Sequence, residues 1–114
     1  MEERPLAWLG TSLADVRAFP EEARRSAGFQ LRRVQQGLMP TDWKIMSTVG
    51  SGVTEIRLRG QLEHRVLYIA KFDEAIYVLH AFEKKTQRTR KADLDLARRR
   101  LRDLEDLRRA RKER

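Results

Sequence analysis

The feature that most constrains this chain is a change of hydrophobic period, from helical to alternating and back to helical. Ala23, Ala27, Leu31, Val34 and Leu38 recur at steps of four, four, three and four, one stripe of an α-helix. Pro20 opens that helix at its first turn, and Gly37 with Pro40 stops it. From Val53 the period becomes two. Residues 53–59, 65–72 and 75–84 are rich in Val, Ile, Leu, Tyr and Phe and are split by Gly60-Gln61-Leu62 and by Asp73-Glu74, which predicts a three-stranded meander. Beyond Thr89, the spacing of Ala92, Leu96, Ala97, Leu101, Leu104 and Leu107 among dense charges predicts a C-terminal amphipathic helix over 90–112, with the last half-dozen residues of the chain expected to fray.

Shorter signals complete the outline. Ser12 followed by Asp15 reads as the cap of a short helix ending near Phe19. Leu6 to Leu9 reads as an edge strand or a packed arm, and residues 40–52, with Pro40, Gly50 and Gly52, as a connection. No internal repeat is visible. The sum is an α+β fold, a small antiparallel sheet packed against two N-terminal helices with a C-terminal helix added. The 114 residues suit one domain, 1–114, large enough for a core without metals or disulfides.

Composition narrows the chemistry. With no cysteine there is no thiolate nucleophile or zinc cage, and two histidines alone cannot build a structural zinc site, so neither metal nor cofactor is expected. The charged start and the lack of any apolar run near the roughly 20 residues of a membrane span point to a cytoplasmic protein with no membrane partner. The net charge of +8 is unevenly placed: residues 1–83 hold 11 Lys+Arg against 11 Asp+Glu, and residues 84–114 hold 14 against 6. Such a block is the footprint of nucleic-acid or acidic-partner binding, and equally of a solvated basic helix.

Strand register follows from loop length. A three-residue loop at 60–62 pairs Arg57 with Arg65 and Glu55 with Leu67, and a two-residue turn at Asp73-Glu74 pairs Leu67 with His80 and Arg65 with Phe82. One face then gathers Glu55, Arg57, Arg59, Arg65, His80, Phe82 and Lys84 with Leu67, Ile69, Ile76 and Val78. The other gathers Ile56, Leu58, Val66, Tyr68, Ala70, Tyr77, Leu79 and Ala81, a core for the helix of residues 20–37 to cover. The C-terminal helix is expected over the apolar end of the first face. Arginines opposite one another on neighbouring strands repel, and an anion between them removes the penalty. A phosphate suits that place because guanidinium forks grip its oxygens and positive charge stabilises a phosphorane-like transition state.

Bland readings stand beside these. Arg57 and Arg65 pair equally well with Glu55 and Glu63 in a structural ladder. His80 is a satisfied core histidine or a general base, Lys84 and Lys85 a charged strand end or phosphate ligands, and Trp43 a packing anchor or a base-stacking platform.

The strings Val53-Thr54-Glu55-Ile56-Arg57, His64-Arg65-Val66-Leu67-Tyr68 and Leu79-His80-Ala81-Phe82-Glu83-Lys84-Lys85-Thr86, followed by a basic helix, carry a resemblance. With Trp8-Leu9-Gly10 and Phe19-Pro20-Glu21-Glu22-Ala23, the chain closely resembles the phage-derived branch of the RelE/HigB toxin superfamily over nearly its whole length. The resemblance implies a toxin of a type II toxin–antitoxin module: a metal-independent, ribosome-dependent endoribonuclease that cuts mRNA in the ribosomal A site. A small antitoxin silences it, usually a helix-turn-helix DNA-binding protein, in a toxin–antitoxin hetero-oligomer. The RNA's 2′-hydroxyl attacks the adjacent phosphate, so the protein supplies positioning, charge and proton transfer.

By position, Arg65 matches the arginine used on the phosphate, Arg57 a basic residue on the preceding strand, and Lys84 or Lys85 the basic residue ending the last strand. Glu55 stands where RelE itself has a lysine, and no tyrosine or histidine lies in the C-terminal segment, so Glu55 or His80 is left to move the proton. Arg59, Lys85, Phe82, Arg88 and Lys91 are the expected RNA-contacting residues. Two other readings use the same scaffold: a ParE-like gyrase poison, and a non-catalytic RNA- or partner-binding module.

Overall fold

The computed structural model describes residues 3–113; Met1, Glu2 and Arg114, and with them the two ends of the expected 1–114 domain, lie outside the described residues. The order of elements is β1 (Leu6–Trp8), α1 (Ser12–Arg17), α2 (Glu21–Gln35), β2 (Trp43–Ile45), β3 (Val53–Leu58), β4 (Glu63–Ile69), β5 (Ile76–Lys84) and α3 (Lys91–Lys112). The fold is α+β. The sheet is mixed and five-stranded, in the order β1-β5-β4-β3-β2, and so exceeds the expected antiparallel meander by a strand at each edge. β1 realises the edge-strand reading, pairing parallel to β5 with Leu6 opposite Ile76 and Trp8 opposite Val78. β2, expected as connection, pairs antiparallel to β3. Its signal is only Trp43-Lys44-Ile45, three alternating residues among turn formers, too short for a period to stand out.

Local chemistry sets the helices. Ser12 does not cap α1: it is fully buried and its hydroxyl donates to the Val78 carbonyl at 3.2 Å, while Thr11 holds the N-cap position and donates to Asp15 at 2.8 Å. Pro20 occupies the N-cap of α2, just outside the first turn. At the other end Gly37 takes φ 84°, the Gly37 N–H donates to the Val34 carbonyl and the Leu38 N–H to the Arg33 carbonyl, a Schellman stop that only glycine enters without strain. Leu38, the last residue of the expected stripe, therefore falls beyond the helix and is 49% exposed.

The registers around the arginines agree with expectation: Arg57 faces Arg65, Glu55 faces Leu67, Leu67 faces His80 and Arg65 faces Phe82. Toward the other end of β5 the pairing shifts by one, with Tyr68 opposite Val78 and Ile69 opposite Tyr77. Leu79 is the extra residue of a β-bulge. The assumed two-residue turn at Asp73-Glu74 is wrong, because β4 ends at Ile69 and β5 resumes at Ile76. As a result Ile76 and Val78 join Ile56, Leu58, Val66, Tyr68 and Ala81 beneath α1 and α2, with Ala27, Leu31 and Val34 packed upon them. Tyr77 and Leu79 lie on the opposite face with Leu67 and Ile69, beneath Ala97, Leu101 and Leu104 of α3. Both faces are thus buried over the apolar half of the sheet. Burial pushes the Tyr68 phenol above its ordinary range, a shift partly offset by the Thr54 hydroxyl.

α3 stays helical through Lys112, further than a frayed tail allows. Arg108 holds its last turns, pairing with the Glu74 carboxylate and lying 3.8 Å over the centre of the Phe72 ring.

Candidate functional site

At the polar half of the sheet, strand pairing sets Arg57 of β3 directly opposite Arg65 of β4, with Phe82 of β5 next in the row. The following row sets Glu63 opposite Lys84. The anion that two facing guanidinium groups require is supplied by the protein. Glu55, two residues before Arg57 on the same face, places Oε1 3.3 Å from Arg57 Nε and 3.5 Å from Arg65 Nε. Glu63 Oε1 lies 3.5 Å from Arg65 Nη2 and 3.5 Å from Arg59 Nη1, and Asp42 holds Arg59 Nε at 2.6 Å. The hydrogen bond and charge of Asp42 raise the Arg59 guanidinium above its ordinary range. The ion-paired reading of this face is therefore what the geometry displays.

Burial separates the members of the cluster. The Arg65 and Glu55 side chains are each 3% exposed, whereas Arg57 is 25% exposed. Arg65 Nη1 donates to the His64 carbonyl at 3.1 Å, but its Nε has no hydrogen-bond partner despite the nearby Glu55 oxygen, which sits at ion-pair distance out of hydrogen-bonding alignment. One carboxylate thus serves two guanidinium groups. The outer one, Arg57, retains unused donors toward solvent and can donate to a phosphate or carboxylate oxygen.

His80 is brought to the edge of this cluster but not into the open. It is 6% exposed, stacks on Phe82 at 5.0 Å, and its Nε2 lies 2.7 Å from Asp93 Oδ1 in the first turn of α3. Its Nδ1 is buried without a partner. Lys84 is half-buried, Arg59, Lys85, Arg88 and Lys91 are exposed, and Phe82 packs partly into the α3 core. Among the described residues Arg88 and Lys91 share no side-chain hydrogen bond or ion pair with the arginine rows; they lie along the connection to α3 and its first residue. Trp43 is neither in a loop nor a packing anchor: it stands 40% exposed on β2.

Three partners were not legible beforehand. Asp42 and Asp93 reach Arg59 and His80 across long stretches of chain, and nothing local marks them. Arg100 crosses from α3 to donate to the Leu79 carbonyl at 2.9 Å and to Thr11 at 3.0 Å, its pKa lowered chiefly by burial. His64 points away from the arginines to pack on Phe19, 4.4 Å between ring centres, and lines a cavity of about 110 Å³ with Pro20, Ser26 and Leu58. Among the described residues no group of three or more His, Asp and Glu side chains is placed to hold a metal ion, and no helix is long and apolar enough to cross a membrane.

Comparison with curated proteins gives no match. The sequence pattern of the phage-derived Gp49-like proteins (DUF891) matches residues 14–102, from α1 through all four remaining strands into α3, so it spans the arginine rows, the bulge and the His80–Asp93 pair. The chain therefore belongs to the phage-derived Gp49-like family, a family related to toxin–antitoxin systems.

Proposed function

We propose that this chain is the toxin of a type II toxin–antitoxin module, a RelE/HigB-like, metal-independent endoribonuclease that cuts mRNA on the ribosome. The carrying observation is the pair of facing arginines that share one carboxylate, with the outer guanidinium open to solvent. On this reading an RNA phosphate takes Arg57 from Glu55. The released Glu55 oxygen accepts the 2′-hydroxyl proton while the 2′-oxygen bonds to phosphorus. The bond to the 5′-oxygen breaks, and Lys84 returns a proton to it. Arg65 holds Glu55 in place and adds buried positive charge to the growing charge on phosphorus. His80 enters only where the first turn of α3 lifts and Asp93 lets go. Arg59, Phe82, Lys85, Arg88 and Lys91 track the flanking RNA. A cytoplasmic helix-turn-helix antitoxin is the expected partner.

Cleavage of translated message in a cell-free translation extract tests this reading. Arg57→Ala, partly exposed and tolerant of truncation, should cut about 10²–10³ more slowly, the usual cost of one charge-stabilising donor. Undiminished cutting by Arg57→Ala would remove the site. A second reading is favoured by one observation, the balance of Arg57, Arg59 and Arg65 by Glu55, Glu63 and Asp42: a non-catalytic module in which the cluster is structural. Wild-type protein that binds ribosomes and leaves message intact would support it, and gyrase-dependent DNA damage would point instead to a ParE-like poison.

A further inference from the structure

The cavity that His64 lines lies between the start of α2 and the loop joining β3 to β4. His64 is 3% exposed, its ring packs on Phe19, and its Nδ1 is buried without a partner. Ala23 of α2, Leu58 at the end of β3 and Leu62 of the loop supply apolar sides, and Leu62 stays 52% exposed. The same two elements supply polar groups, Glu22 and Ser26 from α2 and Gln61 from the loop. Glu21 takes Arg25 at 2.7 Å, whereas Glu22 forms no ion pair among the described residues. The space, about 110 Å³, suits a single flat ring, since a closed cavity of about 150 Å³ takes up benzene.

Two features select the guest. Arg59 lines this cavity and also belongs to the arginine rows, through Asp42 and Glu63. It stands two residues beyond Arg57, about 7 Å along an extended chain, so a phosphate held at Arg57 has its neighbouring base within reach of the cavity. The lining matches such a base. Single-stranded RNA is read by stacking its bases on rings, histidine among them, and by hydrogen bonds to their polar edges. The Glu22 carboxylate only accepts hydrogen bonds, which favours a base with an exocyclic amino group and opposes uracil, whose one edge N–H lies between two carbonyl oxygens.

We infer that this cavity seats the base next to the phosphate held by Arg57, with its six-membered ring against His64 and its amino group on Glu22. The protein thereby prefers some RNA sequences over others. This inference rests on the RNA-cleaving reading for the strand that supplies the base.

The test is fluorescence anisotropy of labelled 2′-O-methyl hexanucleotides of adenosine, cytidine and uridine, titrated with the full chain. They lack the attacking 2′-hydroxyl and report binding without cutting. The adenosine and cytidine strands should bind about tenfold more tightly than the uridine strand, the worth of one hydrogen bond to a charged group. Ser26→Phe fills the cavity from α2 and should bring the first two down to the uridine affinity. Glu22→Gln, whose amide donates as well as accepts, should remove the preference by raising the uridine affinity. Should Ser26→Phe fail to fold, Glu22→Gln at its exposed position in the first turn of α2 decides alone. No binding of any strand, equal affinity for all three, or a preference unchanged by the variants overturns the inference. Translated message separates it from the reading beneath it. Cutting by the wild type with a base preference that both variants retain would overturn the pocket alone. Message left intact by a wild type that still discriminates among the hexanucleotides, with the preference lost in the variants, would remove the nuclease and support the pocket.

Discussion

Glu55 is the residue on which the candidate site turns. Its side chain is as buried as that of Arg65, and it is the only carboxylate within ion-pair distance of both Arg57 and Arg65 among the described residues. Breaking a buried pair by neutralising one partner strands the other charge, at about 3–5 kcal/mol. Glu63, 3.5 Å from Arg65 and 41% exposed, recovers part of that loss. Glu55→Gln is therefore expected to lower stability toward urea by about 3 kcal/mol, and the double variant Glu55→Leu/Arg65→Leu to recover much of it, since an apolar pair of similar volume has no ions to desolvate. A Glu55→Gln midpoint equal to that of the wild type would mean that Arg65 is better hydrated than its 3% exposure indicates. Were the site purely structural, the double variant would also keep any ribosome binding, which separates stability from function at a single position.

Among the elements, the bulge in β5 and α3 explain one another. The shift at Leu79 turns Tyr77 and Leu79 toward α3, giving that helix an apolar floor, and leaves the bulge residue without a partner on β4. Arg100 of α3 satisfies the Leu79 carbonyl and reaches on to Thr11 at the start of α1, so one guanidinium joins three elements. Gly10, at φ 53°, makes room for it: a Cβ there would lie 2.5 Å from Arg100 Nε. Arg100→Met keeps the apolar stem but leaves a buried carbonyl unpaired, and should cost about 1–3 kcal/mol in thermal or urea unfolding. It should also raise hydrogen exchange in α1 and β5, whereas a loss confined to α3 would count against the three-way link. His80 and Asp93 make a second tie at the start of the same helix, so α3 is joined to β5 at Asp93 and again at Arg100, about two turns further on.

For the whole molecule, charge and shape divide the labour. Within α3 the exposed residues include Arg99, Arg102, Arg109 and Arg111, continuing the basic surface from Lys85, Arg88 and Lys91. If the proposed function holds, affinity for a single-stranded RNA should fall with log salt at a slope of about 0.7 per phosphate contact, and Arg57→Ala should reduce that slope by about one contact. A slope unchanged in Arg57→Ala, with reduced slope on removing α3 arginines alone, would move the RNA contact away from the sheet.

Much of this protein was legible in one dimension, because some physical rules act over short stretches of chain. The α2 stripe, the glycine stop at Gly37, the basic amphipathic α3 and the facing of Arg57 and Arg65 across a short loop all follow from local period, turn residues and loop length. Tertiary structure decided the rest. The bulge at Leu79 arises where the longer β4–β5 connection meets the demand that both faces be packed, and that reassigns Ile76 to Leu79 between the two cores. β2 exists only because β3 offers it an edge. Arg65 became a buried ion, Arg57 an accessible one, and His80 the partner of Asp93 through the path of elements far away in sequence. Residue type fixes which charges a face can gather, but burial and pairing depend on what folds over that face, and those are the quantities on which chemistry depends.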